Sequence, residues 1–238
     1  MRLLAAVAVH DESRWLPGFV ENVAPRVDGI VALDDASGDG SGDLLAEHPK
    51  VLEVVRSDAP HPDERDRFRI LLDALAKHDP GWVIGLDADE RLERDFRPKL
   101  ERIARRARLR RHSAYAVRFR ELWDDPGRYR VDGIWGRKWQ ALLWRYRTDH
   151  EMDPRPLHTH KAPMQGARGG SFPPADLTIF HLGMLTAEDR ARRRARFERL
   201  DPDRRWQPMG YEYLTDPSGL ELADVPPELD YRLPPARG

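Results

Sequence analysis

The chain has 238 residues, 40 Lys and Arg against 41 Asp and Glu, and a formal net charge of −1 at pH 7; so even a balance argues against binding nucleic acid through bulk electrostatics. It holds no cysteine, which excludes a disulfide framework, a thiolate zinc site and a cysteine nucleophile, and fits a reducing compartment. Its 40% of hydrophobic residues suffice for a core, the length fits one large domain or a core with an appended lobe, and no apolar run approaches the ~20 residues that span a bilayer.

Leu3–Val9 is an apolar run after Arg2 that stops at His10-Asp11-Glu12. It is too short and too abruptly charged for a secretory leader, and predicts a first β-strand in a cytoplasmic protein. Ser13 is placed to cap a helix carrying Trp15, Leu16, Phe19, Val20 and Val23 at helical spacing, with Pro17 near its first turn. A second strand, Gly29–Asp34, leads into an acidic Gly/Ser turn and a short helical stretch at 42–47. Residues 51–55 predict a third strand, 57–63 a Pro/Asp loop, and 64–77 a helix with Phe68, Leu71, Leu72 and Leu75 on one face. Asp79-Pro80-Gly81 ends that helix, and Trp82–Leu86 predicts a fourth strand. Strands separated by helices predict an α/β fold, a Rossmann-like and mostly parallel sheet with helices on both faces.

The second half reads differently. Residues 97–111 predict a basic helix whose arginines form a solvated face, 115–120 and 140–145 predict strands, and 153–174 is a Pro/Gly-rich stretch. A last strand at 177–181 and a helix at 186–200 follow. The proline-rich remainder is expected to extend or wrap the body without building a core. The chain thus divides into 1–112, 113–200 and a tail at 201–238.

The chemistry gathers where strands end. Trp82–Leu86 runs into Asp87-Ala88-Asp89-Glu90, the second strand into Asp34-Asp35, and the first into His10-Asp11-Glu12. A buried strand releases its charged residues at its C-terminal end, the edge of an open α/β sheet where ligands bind. Two aspartates one residue apart suit one hard divalent cation; the plain alternative is an acidic turn capping the next helix. Acids delivered by three strands to one edge weaken that alternative, because gathered like charges need a cation or hydrogen-bond donors.

The segments VDGIVALDDASGDGSGDLL, GWVIGLDADERL and FHLGMLTAEDRARRRARF, in this order, resemble a family 2 glycosyltransferase of the GT-A fold, small soluble bacterial type, over residues 3–200. The resemblance implies a smaller acceptor-side lobe in the second half. It implies inverting transfer of a sugar from a nucleotide-diphosphate donor, UDP foremost, to a saccharide, natural-product or other hydroxyl acceptor, with Mn²⁺ or Mg²⁺ as cofactor. By the same resemblance Glu12 and Asp35, with Asp34 beside them, hold base and ribose, and Arg69, or alternatively Arg67, reaches base or phosphates. Asp87 faces ribose or metal, Asp89 binds the metal, and His181 supplies a further ligand. Arg192, Arg193 and Arg194 then approach the leaving diphosphate, whose growing negative charge cations stabilise.

Several positions depart from the family pattern. Asp11 stands where Asn is usual, Ala36-Ser37-Gly38 replaces Gly-Ser-Thr, and Ile70 replaces an Asn. Leu157-His158-Thr159-His160-Lys161 stands where a His-Glu pair often supplies the base. The base that an inverting transfer needs therefore falls to His158 or His160, which face opposite sides of an extended segment, or to an acid such as Asp132. Trp123, Trp135, Trp139 and Trp144 serve either a sugar-stacking platform or the core. Two other classes stay open: a nucleotidyltransferase, although His10 to Arg14 lacks the glycines of its phosphate loop, and a degenerate domain acting as a binding module. A nucleic-acid acceptor is a further alternative on the local basicity of 102–120, which steep salt dependence would expose.

Overall fold

Strand β1 (Leu3–Val9) is apolar throughout because it lies inside the sheet and is covered on both faces. In a computed structural model, which describes residues 1–110 and 112–232, β2 (Gly29–Asp34) and β4 (Trp82–Leu86) flank it in parallel, and β3 (Val51–Arg56) adds outside β2. Alternate side chains serve opposite layers, as the strand repeat of two requires. Leu3, Ala5, Val7 and Val9 join one apolar cluster, and Leu4 and Ala6 the other. Helices α1 (Leu16–Val23) and α4 (Phe96–Arg110) bring Leu16, Phe19, Val23, Phe96 and Leu100 to the first. Helix α3 (Glu64–Ala76) brings Leu71, Ala74 and Leu75 to the second. Each such Leu or Phe contributes about 1.5–3 kcal/mol by burial. The expected α/β class, with helices on both faces, is what the chain adopts; α2 (Ser41–Ala46) is the short helix after β2.

The second half continues the same sheet. After β5 (Glu90–Leu92), which closes the strands of the first half, it adds β6 (Ala114–Trp123), β7 (Asp125–Arg130), β8 (Trp139–Arg145), β9 (Pro174–His181) and β10 (Leu222–Asp224). The path is β10-β7-β6-β8-β4-β1-β2-β3, with β9 seated between β5 and β6. Pairing turns antiparallel at β4–β8 and stays so through β6–β8, β6–β7 and β7–β10, while β6 and β9 are parallel. Helix α5 (Ala187–Leu200) follows β9, opened by a capping box between Thr186 and Asp189.

Two expectations need correction. Ser13 does not cap α1: its amide is donated to Asp39 (2.8 Å), and the helix starts at Leu16 with no side-chain cap. The tail wraps the body as expected, but it also adds core. Tyr211, Leu214, Val225 and Tyr231 are buried, β10 joins the sheet edge, and Asn22 donates to the Tyr231 carbonyl (2.8 Å). Among the described residues the only helices the proline-rich tail forms are the short 3-10 helices Glu212–Leu214 and Pro227–Leu229, and it sets apolar anchors between its prolines. Residue 111 of the predicted basic helix and 233–238 of the tail lie outside the described residues. No helix among the described residues is long and apolar enough to cross a membrane.

Candidate active site

The loops after β1 and β2 are laced together by their own side chains. The Asp11 amide donates to Ser37 Oγ (3.1 Å), the Gly38 amide to Asp11 Oδ1 (2.7 Å), and the Glu12 amide to Ser41 Oγ (2.9 Å). His10 Nδ1 lies 2.7 Å from the Asp35 carbonyl. Asp11 and Ala36 take left-handed backbone (φ 56° and 61°) to make these turns. Asp11 and Ala36-Ser37-Gly38, the positions that depart from the family pattern, thus belong to one lacing.

Asp34 and Asp35 are both buried and already occupied. Asp34 Oδ1 accepts from the Ser37 amide (3.0 Å), and a Cβ at Gly42 would stand 2.0 Å from Asp34 Oδ2, so the start of α2 must carry glycine. Asp35 accepts from the His61 amide (3.0 Å) and meets His61 Nδ1 at 2.5 Å, with Arg67 Nε at 3.9 Å. Arg67 lies on the inner side of α3, whereas Arg69 is exposed and pairs with Asp66 (3.3 Å). The structure brings the alternative arginine, not Arg69, to the sheet edge.

The carboxyl end of β4 meets the end of β9. Short β5 pairs antiparallel with β9, placing Glu90 opposite His181, and parallel β6 places Glu121 opposite His181 on the other side. Opposed residues in a sheet share a face, so His181 sits between carboxylates. Its Nδ1 binds Glu121 Oε2, and its Nε2 lies 3.0 Å from Asp89 Oδ2. Glu121 also takes Lys138 on its other oxygen. A Cβ at Gly183 would come within 2.2 Å of Asp89 Oδ2, which accounts for the glycine of the His-x-Gly motif. Arg193 from α5 approaches His181 Nε2 (3.2 Å) and Asp89 (3.9 Å). Lys161 Nζ lies 2.8 Å from Asp87 Oδ1 and 3.6 Å from Glu90 Oε2, and the Asp87 amide donates to Glu90 (3.0 Å).

Electrostatics bind these groups into one site. Burial by itself favours neutral His181, but Asp89 and Glu121 override it and lift the imidazole to about 9. It is therefore an imidazolium at neutral pH, donating to both carboxylates, and leaves no lone pair for Arg193. Burial likewise opposes ionisation of Asp89 and Glu121, yet His181 holds both well below the usual carboxylate range. Asp87, whose side chain is 53% exposed, is held low by Lys161 against the partial desolvation of its surroundings. Glu90 is pushed up to about 7 by burial, with Lys161 opposing and Asp87 and Asp89 adding to the rise. Glu12 rises to about 8 through burial and then the charges of Asp89 and Asp87, only partly offset by Arg196 and Arg193. Glu12, from the first strand, thus feels the Asp-x-Asp pair directly.

Other expected residues stand elsewhere. One residue along a helix turns the side chain by about 100°, and of the three expected arginines Arg193 alone reaches the His181 cluster: Arg192 is 60% exposed against 28%, pairing with Glu188 (2.7 Å), and Arg194 pairs with Glu198 (2.8 Å). His158 Nε2 lies 3.0 Å from the Tyr211 hydroxyl, and its ring packs on Phe197; burial lowers its pKa. His160 packs edge-on against Phe172. Asp132 is clasped by Arg130 (2.7 and 2.9 Å), itself over the rings of Trp123 and Trp135. Trp123, Trp135 and Trp144 are core residues, and Trp139 is half exposed beneath Arg118.

Sequence reasoning missed Glu121, Lys161 and His61. The signal for Glu121 is an acid closing an apolar alternation, concealed because β6 was expected to stop at 120. Lys161 carries no comparable signal, because it follows His158 and His160 in a stretch without strand or helix periodicity. Two surface cavities of about 680 and 660 Å³ lie at the opposite, amino-terminal ends of the strands, lined by Asp79 and Tyr146 and by Arg2 and Trp82; chemistry and charge place the candidate site at the carboxyl ends.

No family model matches the chain. Uncharacterized proteins of Mycobacterium bovis (Mb3815c) and Mycobacterium tuberculosis (Rv3786c) are each 30% identical over 222 residues, covering 87% of this chain and 52% of theirs. The chain thus spans about half the length of these curated relatives. Among solved structures, TarS 1-349 of S. aureus is similar with a TM-score of 0.39 and 13% identity over 56% of this chain and 37% of its own. A mannose-1-phosphate geranyltransferase of Thermus thermophilus is similar with a TM-score of 0.38 and 12% identity, over 62% and 51% respectively.

Proposed function

We propose that the chain is a GT-A-type glycosyltransferase domain of family 2 character that moves a sugar from a nucleoside-diphosphate donor, UDP foremost, to a hydroxyl acceptor such as a saccharide or natural product, with inversion. The observation that carries this reading is the convergence of Glu12, Asp87, Asp89, Glu90 and Glu121 with His181, Lys161 and Arg193 on the carboxyl edge of the sheet. Ligands bind at that edge in open α/β folds.

In this reading the loops holding Glu12, Asp34 and Asp35 receive base and ribose, Arg67 stands in for Arg69, and Arg193 faces the diphosphate. The acceptor oxygen attacks the anomeric carbon, the bond from that carbon to the phosphate oxygen breaks with its electron pair leaving on the diphosphate, and the acceptor proton passes to a base. His158, kept neutral by burial and within the electrostatic reach of Arg193, is the proposed base in preference to Asp132, both of whose oxygens Arg130 holds. The β1 loop, laced by side chains, gives the nucleotidyltransferase alternative no support.

Mn²⁺ or Mg²⁺ would supply positive charge to the diphosphate, with Asp87 and Asp89 as ligands of the right chemistry. The arrangement does not fit the three-ligand set of Asp87, Asp89 and His181. Asp87 is paired with Lys161, His181 has both nitrogens committed to carboxylates, and among the described residues no group of three His, Cys, Asp or Glu is placed to hold a metal. For a metal to bind at Asp87 and Asp89, Lys161 would have to leave Asp87.

A thermal-shift screen of UDP, GDP, TDP, CDP and ADP, with and without Mn²⁺, tests the donor reading. Ligand at about 100 times its dissociation constant adds about 2.7 kcal/mol, or roughly 5–10 °C for a domain of this size. A shift for one nucleotide supports transfer and names the base; no shift with any favours a binding module.

A further inference from the structure

Lys161 has a seat built for it. Its stem crosses β4 over Gly85, where a Cβ would lie 3.0 Å from Lys161 Cβ, 3.2 Å from its Cδ and 3.2 Å from the Trp144 ring. The adjoining Ala162 amide is pinned to the Ala141 carbonyl of β8 (2.9 Å). The side chain is 12% exposed, and its ammonium is buried in ion pairs with Asp87 (2.8 Å) and Glu90 (3.6 Å), the first at hydrogen-bonding distance but poorly aligned, so that its other donors have no partner. An ammonium carries three donors, and leaving them undirected when buried is costly. Asp87, by contrast, is 53% exposed, so the carboxylate side of the ion pair faces solvent, and a ligand reaches the ammonium where Asp87 gives way.

We propose that Lys161 is the resident cation of this site: seated between Asp87 and Glu90, it takes the donor's diphosphate oxygens in place of a divalent metal, so that a nucleoside diphosphate binds without Mn²⁺ or Mg²⁺. The proposal rests on the donor reading above and replaces its metal. Asp87 and Glu90 hold the ammonium where a cation is needed, phosphate oxygens fill its undirected donors, and Arg193 takes the other flank. A divalent ion entering the same place meets a fixed positive charge that the buried stem cannot easily withdraw.

The test is calorimetric titration of UDP, GDP, TDP, CDP and ADP into wild type and Lys161→Gln, in EDTA and in Mn²⁺. Wild type is expected to bind one nucleotide in EDTA, with Mn²⁺ changing the dissociation constant by less than about twofold. Lys161→Gln weakens that binding about ten- to a hundredfold in EDTA, the range of a lost charge-assisted hydrogen bond. Mn²⁺ restores it, because Asp87, Asp89 and Glu90 are then free of the ammonium. Wild-type binding that requires Mn²⁺ overturns the proposal and leaves the donor reading standing. So does a variant that binds like wild type in EDTA, or one whose loss Mn²⁺ does not repair. Nucleotide binding under no condition removes the donor reading and this proposal together. Where Lys161→Gln fails to fold, Mn²⁺ titrated alone into wild type decides: no saturation is expected, and saturation at micromolar metal overturns the proposal.

Discussion

Glu121→Gln keeps the shape of a buried side chain and removes its charge. The carboxylate is 1% exposed and holds two cations at once, His181 and Lys138. Removing one partner from a buried ion pair costs about 3–5 kcal/mol, because the other charge is left in a low-dielectric surrounding. At about 2–4 °C per kcal/mol for a domain of this size, the melting temperature falls by roughly 6–20 °C. The cost has a pH signature. Glu121 is held low by His181 and Lys138 against its own burial, so its stabilisation is complete above the free value of 4.5 and disappears as pH falls through the depressed value. His181 is raised from 6.5 to about 9, so its share is complete below 6.5 and is lost as pH rises through 9. The gap between wild type and variant is therefore widest from pH 4.5 to 6.5 and narrows through 9. Urea unfolding followed by tryptophan fluorescence, inside that window and above it, measures both. A gap under about 1 kcal/mol, or one independent of pH, would refute the buried triad of Asp89, His181 and Glu121.

On the proposed function, Arg193→Ala is expected to slow transfer about a hundredfold, the scale of one lost donor to a developing charge, while Arg192→Ala, already paired with Glu188 at the surface, stays within about twofold; equal effects in steady-state assays would remove α5 from the proposed mechanism. Glu12 is raised from 4.5 to about 8 by burial and then by Asp89 and Asp87, so folding takes up a proton that the unfolded chain releases, and wild-type stability declines as pH rises between those values. Glu12→Gln escapes that decline: thermal unfolding should find it the more stable form above pH 8 and not below 4.5, and identical melting at alkaline pH would place Glu12 away from the Asp-x-Asp pair.

The parallel half of the fold was legible residue by residue. Leu3–Val9, Gly29–Asp34 and Trp82–Leu86 are apolar on both faces, and α3 shows its buried stripe of Leu71 and Leu75 at helical spacing. Acids at the ends of such strands have to emerge together, so pattern alone puts Glu12, Asp87 and Asp89 at one edge, where the structure has them within electrostatic reach of each other. His181 and Arg193 were reached through family resemblance, and the structure brings both to Asp89. The antiparallel half was harder. β5 and β10 are three-residue strands and β7 opens with Asp-Pro-Gly, so their signals are those of turns.

Local sequence determined that buried strands alternate with helices and that their carboxylates share one edge, because burial and periodicity are properties of neighbouring residues. Which cations face those carboxylates was decided only by tertiary structure. Lys161 comes from a loop with no regular repeat, Glu121 from a strand register, and Arg193 rather than Arg192 from the rotation of one helix. Ion pairs between segments far apart in the chain depend on register and packing, and those are settled when the whole sheet closes around its core.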